Sequence, residues 1–269
     1  MARGTASTRA SRSTRLIERP MERLFRELLG VLEPGRTLDV KLGLHWTMVT
    51  VQVGDDVRSG LATTMPSVGH HHRDRPDVQQ PGHLEAMDAR VLAGLIASPS
   101  PVERSIGLAA INALLPRKSR AWVDLNAEEV IADAGAGKGV AMVGHFPFAE
   151  RLRLRVGRLW VLELDPRGDD LPASRAPEII PQADVLAITS VTLLNHTLAD
   201  LLALRRPRAL TLLMGPSTPM SPILYDWGVD ILSGSVVTDA EAVRVRLCQG
   251  AGFRQLHKAG VRLVTMRRR

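Results

Sequence analysis

Val140-Ala141-Met142-Val143-Gly144-His145-Phe146-Pro147-Phe148 opens the stretch, residues 139–219, whose reading decides the fold. Three more apolar runs follow it: Leu159–Leu164, Val185–Ile188 and Leu210–Met214. Each run ends in small or polar residues. After the second comes Glu163-Leu164-Asp165-Pro166, after the third Thr189-Ser190-Val191-Thr192, and after the fourth Gly215-Pro216-Ser217-Thr218-Pro219. Apolar runs that alternate with helical spacing, as at 192–204, predict a parallel α/β sheet. Ligands of such sheets bind outside the carboxyl ends of the strands, so the four run-ends are expected to build one pocket.

On either side of this stretch the pattern changes. Upstream, 16–32 has helical apolar spacing, and 38–53 alternates as one long or two short strands. Residues 59–65 offer another strand, and 84–97 and 102–115 two helices separated by Ser98-Pro99-Ser100-Pro101. Strands followed by helices predict an α+β lobe over 16–120. A basic tail, 1–15, precedes it, and a Rossmann-like lobe over 121–269 follows. Asn126 is expected to cap a helix over 127–134. Downstream, 229–232 and 261–266 read as strands, with a helix over 239–249 between them.

Composition narrows the class. The 269 residues are 45% hydrophobic, and no run reaches the roughly 18 apolar residues of a membrane helix, so a cytoplasmic protein without a span is expected. The net charge is +7, but four Arg lie in 1–15 and three close the chain. With 3% aromatic residues and no recognition motif, this charge does not make a nucleic-acid binder. One cysteine, Cys248, excludes an intrachain disulfide and a thiolate metal cage.

The run-ends suggest chemistry. The imidazole of His145 suits acid/base work or metal ligation. Glu163 stands nineteen positions after Gly144, the spacing at which an acid binds a ribose hydroxyl in dinucleotide folds. The Gly-x-Gly-x-x-Gly fingerprint is missing, however, and the glycine-rich 135–139 precedes its strand instead of following it. Gly144 lets backbone approach a ligand, and Phe146 offers a face to stack on. Thr189, Thr192 and Asn195 flank a helix start. Gly215, Ser217 and Thr218 offer hydroxyls and amides for an anion. His70, His71 and His72 form an imidazole tract suited to zinc, copper or nickel, though consecutive residues do not easily reach one ion.

Several blocks also resemble one known family. They are Gly144–Phe148, Val161-Leu162-Glu163, Ile180–Val185, Thr189–Thr197 and Gly215–Pro222, and the family is named "Putative heavy-metal chelation". The resemblance implies an enolase-N-terminal-like lobe followed by a Rossmann-like lobe, with the site at their junction. It also implies a link to metal chelation through a small molecule that is made or processed. Ser190 departs from the family pattern, which would place Gly there.

The expectation is therefore an enzyme with a junction pocket for a polar anionic, nucleotide-like or adenosyl ligand. His145 would act as acid/base, and Glu163 and Asn195 would orient substrate. Gly144, Phe146, Thr189, Thr192, Gly215, Ser217 and Thr218 would hold the ligand. The alternative is a non-catalytic heavy-metal carrier or sensor built on His70, His71 and His72. Homo-oligomerisation is compatible with either.

Overall fold

The computed structural model describes residues 18–66, 76–117, 121–123 and 126–268. The first lobe begins with α1 (Pro20–Gly30). Pro20 stands at the first helical position, where its missing N–H costs nothing, so the helix starts at the proline. β1 (Arg36–Leu42), β2 (Trp46–Val53) and β3 (Asp56–Thr63) form an antiparallel meander. The 38–53 alternation is thus two strands, turned at 43–45. α2 (Ala89–Gly94) and α3 (Pro101–Leu114) complete the lobe. The loop residues His70, His71 and His72 lie outside the described residues.

The second lobe carries α4 (Ala127–Gly135), β4 (Gly139–Val143), α5 (Ala149–Arg153), β5 (Arg158–Glu163), β6 (Leu171–Pro172) and α6 (Ala176–Ile179). It continues with β7 (Val185–Thr189), α7 (Val191–Leu194), α8 (Leu198–Ala203), β8 (Leu210–Met214), α9 (Ile223–Asp226) and β9 (Ile231–Val237). α10 (Ala240–Cys248), α11 (Phe253–Gly260) and β10 (Val261–Arg267) end the chain. Asn126 caps α4 by accepting the Glu128 N–H, as expected. The sheet order is β10-β9-β8-β7-β4-β5-β6, parallel except for β10. The chain leaves β4 in one direction through β5 and β6, then returns to the other side of β4 at β7. The β4–β7 crevice is therefore the switch point, where open α/β sheets bind ligands.

Period-two alternation splits each strand between two cores. Val140, Met142, Val161, Ala187 and Leu212 face one core, with Ile131 of α4 and Leu152 of α5. Ala141, Val143, Leu162, Leu186, Ile188 and Leu213 face the other, which continues through Leu193, Leu194 and Leu198 into the first lobe's Leu24, Val49, Ile106 and Leu108. The opposite face of the meander (Met48, Leu61) meets Val243 and Leu247 of α10 and Leu256 of α11. The two sheets thus share buried apolar surface on both sides of the meander. No helix among the described residues is long and apolar enough to cross a membrane.

Candidate functional site

At the switch point lies a cavity of about 350 Å³ lined by the ends of β4, β5 and β7 and by α7–α8. Its lining includes Gly144, His145, Phe146, Glu163, Thr189, Thr192 and Asn195, together with Leu162, Leu164, Ala173, Val191 and Leu201. Seven sequence-predicted site residues therefore meet in one place. Every described residue that lines the cavity belongs to the second lobe. The first lobe stands behind one wall: α1 and α3 pack on α8 and α7.

Gly144 has φ +96°, a conformation side chains rarely adopt, and a Cβ there would lie 2.9 Å from Thr189 Cγ2. Glycine is needed because β4 and β7 close on each other at the crevice. Glu163 ends β5 and turns its carboxylate into the neighbouring turns. Oε1 accepts the His145 N–H at 2.8 Å, and Oε2 accepts the Leu164 N–H at 2.8 Å.

His145 Nδ1 lies 2.9 Å and 3.1 Å from the two carboxylate oxygens of Asp170. A carboxylate only accepts, so the proton sits on Nδ1 and the neutral ring keeps its lone pair on Nε2. The imidazole is 41% exposed while the Asp170 side chain is 2% exposed. A buried acid thus orients an accessible base. Asp170 was not singled out in the sequence. It lies in a polar turn beside Asp169, and nothing in the spacing says which of the two turns inward.

Thr192, expected to hold the ligand, donates its hydroxyl to Thr189 O at 2.6 Å. Asn195 ends α7, and its Oδ1 accepts from Thr197 N at 3.2 Å and Thr197 Oγ1 at 2.7 Å. That fixes its amide and leaves Nδ2 as a donor at the cavity. His196 follows with φ +61°, half-buried, its Nε2–H donated to Ile96 O at 3.0 Å and its ring edge-on to Phe25. Burial holds its imidazole below the ordinary pKa of 6.5, because charge is costly there.

The Gly215 turn lies elsewhere. None of Gly215, Ser217 and Thr218 lines the cavity. Gly215 has φ +121°, and a Cβ on it would meet Ser190 Oγ at 2.9 Å. The serine at the family's glycine position is thus packed on this turn. Ser217 Oγ accepts the Thr63 N–H at 2.8 Å, and Ser217 O accepts from Asn112 Nδ2 at 3.0 Å. Asn112 Nδ2 also donates to Leu61 O at 2.8 Å. Thr218 is 1% exposed beside these groups. The Ser217 hydroxyl and carbonyl thus tie the second lobe to the first lobe's sheet and helix, while the Thr218 hydroxyl is buried without a hydrogen-bond partner.

Comparison with known proteins agrees with the fold. A family model described as "Putative heavy-metal chelation" matches residues 126–266, and a second model with that description matches 9–115. A crystal structure of a protein with unknown function from the DUF364 family of Desulfitobacterium hafniense superposes with a TM-score of 0.77 at 30% identity, covering 92% of this chain and 98% of that one. Another from the same family, of Pyrococcus horikoshii, gives a TM-score of 0.78 at 21% identity over 92% of this chain and 99% of that one, which shows the fold. An uncharacterised protein of Methanocaldococcus jannaschii is 24% identical over 263 residues, 93% of this chain and 97% of its own.

Proposed function

Because the chain belongs to the family described as "Putative heavy-metal chelation", we propose that it binds a small polar molecule in the switch-point cavity and changes it chemically. The molecule belongs to the making or processing of a metal-chelating compound. The His145–Asp170 pair on the cavity wall carries this reading. An accessible imidazole whose Nδ1 is fixed by a buried carboxylate, leaving Nε2 open to the cavity, is the arrangement of a proton-transfer group. Nε2 takes a proton from the ligand, the Asp170 carboxylate stabilises the imidazolium, and the proton is then returned. Asn195 Nδ2 orients the ligand by donating to it.

The metal enters this reading as cargo. Among the described residues the cavity offers one imidazole nitrogen and one carboxylate already bonded to two amides, fewer than the three or four protein ligands of a resident transition metal. Among the described residues there is no group of three His, Cys, Asp or Glu placed to hold an ion. That supports a division in which the small molecule supplies the chelating atoms and the protein handles the small molecule.

A thermal-shift panel of nucleosides, adenosyl compounds, pterins and metal-free chelators tests the reading, with mass spectrometry of any ligand that binds. A ligand at one hundred times its Kd adds about 2.7 kcal/mol to the wild type and so raises Tm. His145→Gln should stay folded and leave the bound ligand unchanged where the wild type converts it. If no compound raises Tm, or if the variant converts the ligand at the wild-type rate, the reading is wrong.

A further inference from the structure

The charges and amides around the cavity specify its ligand further, on the premise that the cavity is the ligand site. Among the described residues no Lys or Arg lines it; the ionisable groups there are His145, Glu163 and, behind the ring, Asp170. The two carboxylates repel a phosphate, and no Lys or Arg among the described lining residues offsets them.

Several backbone amides at the strand ends beside the cavity are already engaged. Gly144 N–H donates to Leu162 O at 2.9 Å, and His145 N–H donates to Glu163. Pro147 has no N–H. Ser190 N–H donates to Met214 O at 2.8 Å. The helices that start beside the cavity, α5 and α7, are five and four residues long, too short for a substantial dipole.

Glu163 points the other way. It has no basic partner among the described residues, yet its two oxygens are held apart by two amides. Each oxygen keeps a lone pair. Such a carboxylate accepts two O–H groups on adjacent atoms, in charge-assisted bonds. Phe146, paired with Phe148 at 5.5 Å and 24°, offers a flat apolar face nearby. A volume of about 350 Å³ lies near the lower end of ligand sites, enough for one ring and one sugar and too small for a dinucleotide.

We infer that the cavity takes an uncharged or cationic nucleoside-type ligand without phosphate, whose two adjacent hydroxyls are accepted by Glu163 and whose flat ring packs against Phe146.

Isothermal titration of the full chain with adenosine, guanosine, cytidine and uridine, each beside its 5′-monophosphate, tests this. At least one nucleoside should bind, and its monophosphate should bind about tenfold or more weakly. Its 2′,3′-dideoxy form should lose a similar factor on the wild-type protein, because it leaves the Glu163 oxygens without donors. Glu163→Gln should lose it too, and the dideoxy comparison stands on its own if that variant fails to fold. Monophosphates binding as tightly as nucleosides, a dideoxy form binding equally well, or no nucleoside binding would each overturn the inference. The amide signals of Thr189 and Asn195 separate this failure from that of the wider reading. A ligand of another class that shifts them leaves the cavity as the site and removes only the nucleoside. Silence at both amides with every compound removes both readings.

Discussion

Asp170 decides what His145 can do, and the decision lies in one proton. With the carboxylate opposite Nδ1, the neutral ring carries its hydrogen there and keeps Nε2 as an acceptor. Asp170→Asn puts an amide in that place, and its NH2 group favours a bare Nδ1 and a protonated Nε2. Long-range proton–nitrogen correlation spectra, recorded where the ring is neutral, should show the Nδ1–H tautomer in the wild type and the Nε2–H tautomer in the variant. Unchanged spectra would mean that Asp170 does not set the tautomer. At this scale the sequence was informative about residue types at strand ends and silent about partners. His145, Glu163 and Asn195 are visible because an apolar run stops just before or near them. Asp170 is not, because its role depends on burial: it is 9% exposed while its neighbour Asp169 faces solvent. Ser217 misleads for the same reason, since its hydroxyl is taken up by Thr63, a residue 154 positions away.

The α7–α8 segment shows where periodicity reads past a break. Leu194, Leu198, Leu201 and Leu202 keep helical spacing across 192–204, so a single helix is the natural reading. The chain interrupts it at Asn195-His196-Thr197, because Asn195 Oδ1 takes the Thr197 N–H and His196 turns to φ +61°. A non-glycine residue in that region needs outside support. Ile96 O and the Phe25 ring of the first lobe supply it. The break lets Asn195 and Leu201 both line the cavity. Burial depresses the folded-state pKa of His196 below 6.5, so the unfolded chain binds this proton more readily. Its contribution is therefore intact above the unfolded value and is lost as pH falls from about 6.5 towards the depressed folded value. Urea midpoints between pH 7.5 and 5.5 should drop further for the wild type than for His196→Asn, which tolerates positive φ and does not titrate. Equal drops would show that His196 is not a source of acid sensitivity.

Over the whole molecule, the two sheets have separate strand patterns but not separate cores. The change from an antiparallel meander to strand–helix alternation is legible because strands and helices have different periods. The surface that joins them is not, because a residue such as Leu194 looks the same whether it packs on its own sheet or on a neighbouring lobe. In the structure one cluster runs from Leu24 through Ile106 to Leu194 and Leu213, and a second joins Met48 to Leu247. Separating the sheets would expose both clusters. It would also strip the Asn112 amide of its acceptor across the joint, Ser217 O, leaving only Leu61 O within its own lobe. Exposed apolar surface costs about 25 cal/mol per Å², so a state with one lobe folded and the other open lies well above the native state. The chain should therefore unfold in a single calorimetric transition, with van't Hoff and calorimetric enthalpies agreeing, although its length would allow two. Asn112→Ala deprives two carbonyls of their donor and should cost about 2 kcal/mol. Because that loss falls on the joint, it should lower Tm without splitting the peak. Two resolved transitions in the wild type would show that the lobes are independent and that the cavity wall does not depend on the first lobe. A split seen only in Asn112→Ala would instead make this one amide, and not the shared apolar surface, the source of the cooperativity.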